Sequence, residues 1–174
     1  TAIFAGILIA IAGYGFLARK YVGMFFFILG LAAVVSYQLK LYTGTVGFVK
    51  VKEIPTLLIV LAGNILGCFL VSLVAKLDTA MDIQSAAQGV LQSRLALGWW
   101  PCGVKAIGCG ILMSVAVHFA RKGKEMGYWI PLVFAVPLFI HCGFPHCVAD
   151  AFYFLACPND VLVQSGWELL SVYI

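Results

Sequence analysis

The stretch HCGFPHCVADAFYF, residues 141–154, places two histidines and two cysteines within an otherwise apolar run. Gly143 and Pro145 stand in its middle, and both residue types disfavour a continuous helix. Such a segment could hold a metal ion, carry redox chemistry, or present polar groups inside a membrane. The remainder of the sequence is needed to decide among these three uses.

The composition indicates an integral membrane protein built from helices. Of the 174 residues, 63% are hydrophobic and 10% are charged, and the mean hydropathy is +1.05. A soluble domain carries about 25% charged residues. A chain this apolar must satisfy its backbone hydrogen bonds within its own segments, as helices do. The net charge of +4 comes largely from short loops, so we expect a lipid bilayer as a partner and no nucleic acid.

Apolar runs separated by polar loops predict the membrane-spanning helices. Five full runs and the start of a sixth cover residues 2–17, 21–48, 55–74, 99–119, 128–157 and 161–174. About 20 apolar residues span a bilayer, so we expect the sixth helix to be truncated in this sequence. The polar stretch from Lys76 to Arg94 is expected to lie at the membrane interface. We expect one transmembrane domain over 1–174, with a first repeat of about 1–75 and a second of about 95–174.

Basic residues predict the orientation of these helices. The loops after the second and fourth runs hold Lys50, Lys52, Arg121, Lys122 and Lys124, whereas the loops after the other runs hold Arg19, Lys20 and Lys76. Loops rich in Lys and Arg remain in the cytoplasm. We therefore expect a multi-pass protein of the inner (plasma) membrane with both termini in the cytoplasm.

The second and fifth runs are too polar and too rich in helix breakers to be uninterrupted lipid-facing helices. The second run contains SYQLKLYTGTVGFV, residues 36–49, and the fifth contains the stretch quoted above. Non-helical backbone at membrane depth is tolerated only where it is buried or lines a cavity. Because the two runs occupy the same place in the two halves, they predict an inverted repeat with a substrate site near the bilayer midplane.

Four segments add a family resemblance: LYTG (41–44), GNILG (63–67), CGILMSVAV (109–117) and GFPHCVADAFYF (143–154). In this order and at about these spacings, the chain resembles the formate/nitrite transporter family. The resemblance implies an all-α, six-helix, aquaporin-like arrangement with interrupted second and fifth helices. It also implies a homopentamer in which each protomer passes small monovalent anions, such as formate, nitrite or hydrosulfide, or their conjugate acids. No enzyme activity and no cofactor are expected.

By position, the resemblance places His146 and Thr43 at the centre of the pore. It assigns Phe27, Leu31 and Phe139 to an outer apolar constriction, and Leu41, Tyr42 and Met113 to a cytoplasmic constriction. Arg94 is assigned to the outer vestibule as a cation. Histidine titrates near neutral pH, so His146 is expected to offer a proton or a positive field to an anion. Gly63 and Gly67 are expected to allow close helix packing, with Asn64 bonding to another helix.

The chain also departs from the family pattern at two charged positions. The family's common GFEHSVAN reads GFPHCVAD here, so an acidic residue becomes Pro145 and an asparagine becomes Asp150. The usual Asp or Asn before the Leu-aromatic-Thr motif is Lys40. Charges at mid-membrane depth are costly and usually pair. We therefore hypothesise a salt bridge between Lys40 and Asp150 that ties the two interrupted helices together.

Two other classes of function remain open at this stage. A membrane redox or metal-binding protein could use Cys109, Cys142 and Cys147 together with the histidines. However, His141 and Cys142 would point about 100° apart on a helix, which does not suit one tetrahedral zinc centre, so no metal is expected. A channel for a neutral solute such as water, ammonia or urea would also suit the aquaporin-like layout.

Overall fold

A computed structural model describes residues 1–123 and 125–173, and within them it contains eight α-helices and two short 3₁₀ turns. The helices are α1 (Ala2–Ala18), α2 (Lys20–Ser36), α3 (Ile54–Leu77), α4 (Ile83–Leu97), α5 (Trp99–Ala120), α6 (Met126–His141), α7 (Cys147–Ala156) and α8 (Asn159–Val172). The 3₁₀ turns, Val46–Phe48 and Val51–Glu53, lie between α2 and α3. Lys124, which was predicted to be one of the cytoplasmic cations, lies outside the described residues.

The surface of the helices is apolar, while several polar side chains are buried. Exposed large apolar residues include Phe25, Leu29, Ile59, Ile107 and Phe134, whereas the buried polar residues include Thr43, Asn64, Ser114, His146 and Asp150. This distribution is the reverse of that in a soluble domain. Two helical segments, Val51–Leu77 and Trp99–Ala120, are long and apolar enough to cross a membrane by length and composition.

Helices α1 and α3 run parallel and their backbones approach closely through glycines. A Cβ atom added at Gly67 would overlap the carbonyl oxygen of Ile3, and one added at Gly6 would overlap the carbonyl oxygen of Asn64. Gly63 lies against Ala2 in the same interface. Small residues permit this approach where helices pack without lipid between them. The packing brings Asn64 to the backbone that follows α2.

Helix α4 was not predicted, because residues 76–94 were expected only to form a polar stretch at the membrane interface. The Asp82 side chain accepts a hydrogen bond from the Ser85 amide at 3.3 Å and caps the first turn. Ile83, Ala87 and Leu91 are buried and recur every four residues, which is the spacing of one helix face. Helix α4 packs against α7, and it thereby carries Arg94 to the loop before α7.

Candidate functional site

Helices α2 and α6 end in the same hydrogen-bonded cap. After α2, the amide of Gln38 donates to the carbonyl of Val35 at 3.0 Å, and the amide of Leu39 donates to that of Val34 at 2.9 Å. Gln38 has a φ of 52°, in the left-handed region. This pair of bonds around one left-handed residue is the Schellman motif. It ends α2 and opens a non-helical stretch, residues 37–45, which we call the first break.

The cap after α6 repeats this pattern with a glycine in the left-handed position. The amide of Gly143 donates to the carbonyl of Ile140 at 3.1 Å, and the amide of Phe144 donates to that of Phe139 at 2.9 Å. Gly143 has a φ of 63°. Residues 142–146 then form the second break, which separates α6 from α7.

The two breaks meet at His146 and Thr43, and both side chains are buried. His146 caps α7, because its Nδ1 atom accepts a hydrogen bond from the amide of Ala149 at 3.1 Å. Since Nδ1 is an acceptor here, a neutral imidazole carries its proton on Nε2. Nε2 lies 3.0 Å from Thr43 Oγ1 and donates that proton to it. The centre therefore joins two polar groups that are 103 positions apart in the chain.

Asn64 holds the first break from the side of α3. Its Oδ1 atom accepts a hydrogen bond from the amide of Tyr42 at 2.9 Å. Its Nδ2 atom donates to the carbonyls of Lys40 at 3.0 Å and Ala2 at 2.8 Å. The amide is fully buried, so these bonds satisfy groups that would otherwise be costly to bury. They fix the backbone on either side of Leu41, whose side chain is also fully buried.

Aromatic rings continue from the His146 centre toward α2. The ring of Phe139 stacks on the His146 imidazole with centroids 5.4 Å apart. Phe27 meets Phe139 edge-on, with centroids 6.1 Å apart and ring planes 87° apart. Leu31, one turn after Phe27 on α2, is buried beside them. Met113, assigned to the other constriction, is buried on α5.

A cavity of about 350 Å³ reaches this centre, and we call it the His146 cavity. Its lining includes His146, Phe139, Arg94, Asp150 and Lys20. Lys20 was counted only for topology in the sequence analysis, because its position after the first apolar run carries no signal of a cavity. It is exposed and places a positive charge in the lining.

The predicted salt bridge between Lys40 and Asp150 is wrong, since Asp150 pairs with Arg94. Arg94 Nε donates to Asp150 Oδ2 at 3.2 Å, and Nη2 donates to Oδ1 at 3.4 Å. Nη1 of the same guanidinium donates to the carbonyl of Gly143 at 2.9 Å. The Asp150 side chain is 1% exposed and that of Arg94 is 12% exposed. The pair forms because α4 places Arg94 directly beside the second break.

Lys40 faces a different region of the molecule. Its side chain is exposed and lines a second cavity of about 1030 Å³, the Lys40 cavity, together with Gln38, Glu53 and Arg121. This cavity lies at the end of α2 opposite Lys20. Only the backbone carbonyl of Lys40 is held at the site, by Asn64.

The described residues offer no donor set for a metal ion. No group of three or more His, Cys, Asp or Glu side chains arranged for a metal occurs in residues 1–123 and 125–173. All six cysteines lie in this part of the chain, and each is a free thiol.

Comparison with known proteins identifies the family. The profile of the formate/nitrite transporters matches residues 1–162. The chain belongs to the formate/nitrite transporter family. The resemblance predicted from the four sequence segments is thus confirmed. Among curated protein sequences, none is significantly similar to this chain.

Solved structures share this fold. A structure described as a pentameric formate channel with formate bound is 22% identical, with a TM-score of 0.74, and the match covers 98% of this chain and 77% of that one. A structure described as an FNT family ion channel is 16% identical, with a TM-score of 0.76, and the match covers 99% of this chain and 79% of that one. The all-helical architecture is therefore that of these channels.

Family membership settles the general function. Formate/nitrite transporters are multi-pass integral membrane proteins, so this chain is a membrane transport protein for small monovalent anions or their conjugate acids. The family and both solved relatives are transporters or channels.

Proposed function

We propose that each protomer passes its substrate along one path through the His146 centre. The path begins in the His146 cavity and crosses the apolar constriction of Phe27, Leu31 and Phe139. It then passes between His146 and Thr43. It leaves through the second constriction, formed by Leu41, Tyr42 and Met113. We expect transport without catalysis, and no cofactor.

The hydrogen bond between His146 and Thr43 is the observation that carries this proposal. It joins the two breaks at a buried point, and the His146 cavity reaches one of its partners. Irregular backbone at membrane depth is tolerated only where it is buried in protein or lines a cavity, and here a cavity reaches it. A buried imidazole and hydroxyl at the end of a cavity provide the polar contact that a small anion requires.

The apolar rings favour the neutral acid over the anion. Phe27, Phe139 and Leu31 offer no hydrogen bonds to replace the hydration shell of an ion. Burying an unpaired charge costs far more than burying a neutral polar group. An anion that crosses between these rings must therefore gain a proton or meet a positive field, and His146, which stacks on Phe139, is placed to supply either.

The hydrogen bonds of His146 limit how it supplies that proton. Nδ1 caps α7, so Nε2 is the atom that exchanges a proton with Thr43 or with a substrate. Protonating Nδ1 as well would break the bond to the amide of Ala149. A transient charge on His146 is thus coupled to the first turn of α7.

Lys20 supplies the unpaired positive charge of the His146 cavity. Arg94, which the sequence analysis assigned to the vestibule, lines the cavity but is bound to Asp150, so the charges of these two residues offset each other. Lys20 has no acidic partner among the described residues. Positive charge in such a cavity raises the local concentration of anions.

The matching caps of α2 and α6 support an inverted repeat. In each break a left-handed residue follows the helix, and the same two amide-to-carbonyl bonds close the last turn. On this proposal, α2 with the first break and α6 with the second break and α7 are the interrupted second and fifth helices of a single transmembrane domain. Helix α4 then links the two repeats.

The relatives and the loop charge support a proposed assembly and orientation. One solved relative is described as a pentamer, and we propose a homopentamer with one pore per protomer. The positive-inside rule places the Lys40 cavity on the cytoplasmic side of the inner membrane and the His146 cavity on the opposite side. Both termini are then cytoplasmic.

A flux panel in proteoliposomes tests the proposed function. The purified protein is expected to pass formate, nitrite or hydrosulfide, with a pH dependence beyond the acid fraction of each substrate. The His146→Asn variant keeps a polar side chain of similar size without a titratable ring, and we expect it to lose this additional pH dependence.

The matched control is His141→Asn, which removes an exposed histidine at the end of α6. It should keep the wild-type pH profile. If none of the three anions crosses the membrane, the proposed function is wrong. If His146→Asn keeps the wild-type rate and pH profile, His146 has only a structural role.

A further inference from the structure

One face of α5 contacts the first break and the turn after it at several points. The contacting residues are Ser114, Val117, His118 and, directly after the last residue of α5, its C-cap Arg121. Their spacing of i, i+3, i+4 and i+7 places them in a single row along the helix. The same helix carries Met113, so the row runs beside one of the residues assigned to the second constriction.

Three residues of this row contact the chain after Tyr42. Ser114 Oγ accepts a hydrogen bond from the amide of Gly47 at 3.2 Å and lies 3.4 Å from the carbonyl of Thr43, to which it donates. A Cβ atom added at Gly44 would lie 3.0 Å from Val117. The ring of Phe48 stacks on His118 with centroids 4.7 Å apart.

Arg121 supplies the remaining contact, which lies before Leu41. Its Nη2 atom donates to the carbonyl of Leu39 at 3.1 Å. Leu39 directly follows the left-handed residue after α2, near the negative end of the helix dipole, where a cation is favoured. Arg121 thus holds the backbone directly after the cap of α2.

The second break contains a similar contact, one position earlier relative to the left-handed residue. There Arg94, carried by α4, donates to the carbonyl of Gly143 at 2.9 Å. In both breaks an arginine from another helix therefore binds a carbonyl at the end of the Schellman cap. The occurrence of such a contact in both breaks is consistent with a role of these arginines in positioning the breaks.

We propose that Arg121 is a positioning residue that sets the size limit of the constriction formed by Leu41, Tyr42 and Met113. This assignment rests on the proposed function. Arg121 and Ser114 hold the first break from α5, and Asn64 holds it from α3. Leu41 and Tyr42 lie between these attachments, so their side chains are placed relative to Met113. Without Arg121 the attachments to Asn64 remain, and the constriction loosens while the fold persists.

The test is the ratio of acetate to formate flux, because an apolar constriction selects by size and desolvation. When two constrictions lie in series, the narrower one limits the flux ratio, so a change in the wider one would not be detected. The measurement is therefore made in the wild type and again in a Phe27→Ala background, where the outer constriction is opened. In each background the variants are Arg121→Gln, Arg121→Lys and the control Lys122→Gln.

Lys122→Gln is a matched control for the loss of one positive charge. Lys122 is the neighbouring residue, is exposed, and places its Nζ atom 5.1 Å from the centre of the Phe119 ring rather than on the break. We expect Arg121→Gln to raise the flux ratio about threefold in the Phe27→Ala background, the effect of losing one partly exposed hydrogen bond from a charged donor. Arg121→Lys should give an intermediate ratio, and Lys122→Gln should leave it unchanged.

Equal flux ratios for Arg121→Gln and Lys122→Gln in the Phe27→Ala background would overturn the assignment. If Arg121→Gln does not assemble, Ser114→Ala tests the same set of contacts. It should raise the ratio, and an unchanged ratio would overturn the assignment as well. Absence of all anion flux in the wild type would instead contradict the proposed function itself.

Discussion

Replacing Arg94 with glutamine removes the two hydrogen bonds to Asp150 and the one to the Gly143 carbonyl. It leaves a carboxylate that is 1% exposed without its counter-ion. Breaking a buried ion pair from one side costs about 3–5 kcal/mol. Because Asp150 also lines the His146 cavity, the shorter glutamine would let water approach the carboxylate, and we expect a cost of about 3 kcal/mol, at the lower end of this range.

Replacing the other partner of the ion pair, Asp150, is expected to reduce the stability by less. Asp150→Asn removes the charge of the more deeply buried partner, while Arg94 keeps its bond to Gly143 and faces the cavity. We expect a loss of about 1 kcal/mol, the typical contribution of one hydrogen bond. The double variant should be more stable than Arg94→Gln alone, since no buried charge then lacks a partner.

Thermal unfolding of the purified protein in detergent, followed by tryptophan fluorescence, measures these differences. A loss of 3 kcal/mol corresponds to a decrease in Tm of roughly 6–12 °C for a chain of this size. Lys20→Gln is the control, because it removes a cation from the same cavity without breaking an ion pair. The reasoning is refuted if Arg94→Gln melts no lower than Asp150→Asn, or if the two effects are additive in the double variant.

Three further predictions concern the constriction, the caps and the cavity charge. Phe139→Ala should open the outer constriction and raise acetate flux relative to formate flux; an unchanged ratio would make Phe139 a packing residue. Gly143→Ala should lower stability by about 1–2 kcal/mol, because alanine is strained at a positive φ, whereas Gln38→Gly should not; melting curves in the reverse order would contradict the shared cap. Lys20→Gln should lower anion flux about threefold at low salt, as a unit charge acting through water at about 7 Å would, and the difference should shrink at high salt. Equal loss at both salt concentrations would exclude an electrostatic role.

Local sequence features were sufficient to predict much of the fold. Apolar runs and charged loops predicted the extents of α3 and α5 to within three residues at either end. The quoted motifs were sufficient to identify the family, because they combine residue types that few membrane helices contain. Helix α4 carried a local signal too, in the Asp82 cap and the recurrence of Ile83, Ala87 and Leu91. That signal was overlooked because the segment is too polar to span a membrane.

The partner of each charged residue was decided only by the tertiary structure. Lys40 and Arg94 are both cations within reach of a membrane segment, and nothing in their local sequence shows which one meets Asp150. The choice depends on α4, which packs against α7 and carries Arg94 to the second break. It also depends on the first break, which turns the Lys40 side chain outward while Asn64 holds its carbonyl.

The same distinction applies to the hydrogen bonds of the two breaks. A sequence shows where a helix must end, because glycine, proline and polar residues act on their own backbone. It does not show which side chains satisfy the backbone groups released there, since those side chains come from helices that are distant in sequence. Arg121 on Leu39 and Arg94 on Gly143 are of this kind. Helix ends follow from local backbone preferences, whereas the partners at those ends follow from the packing of whole helices.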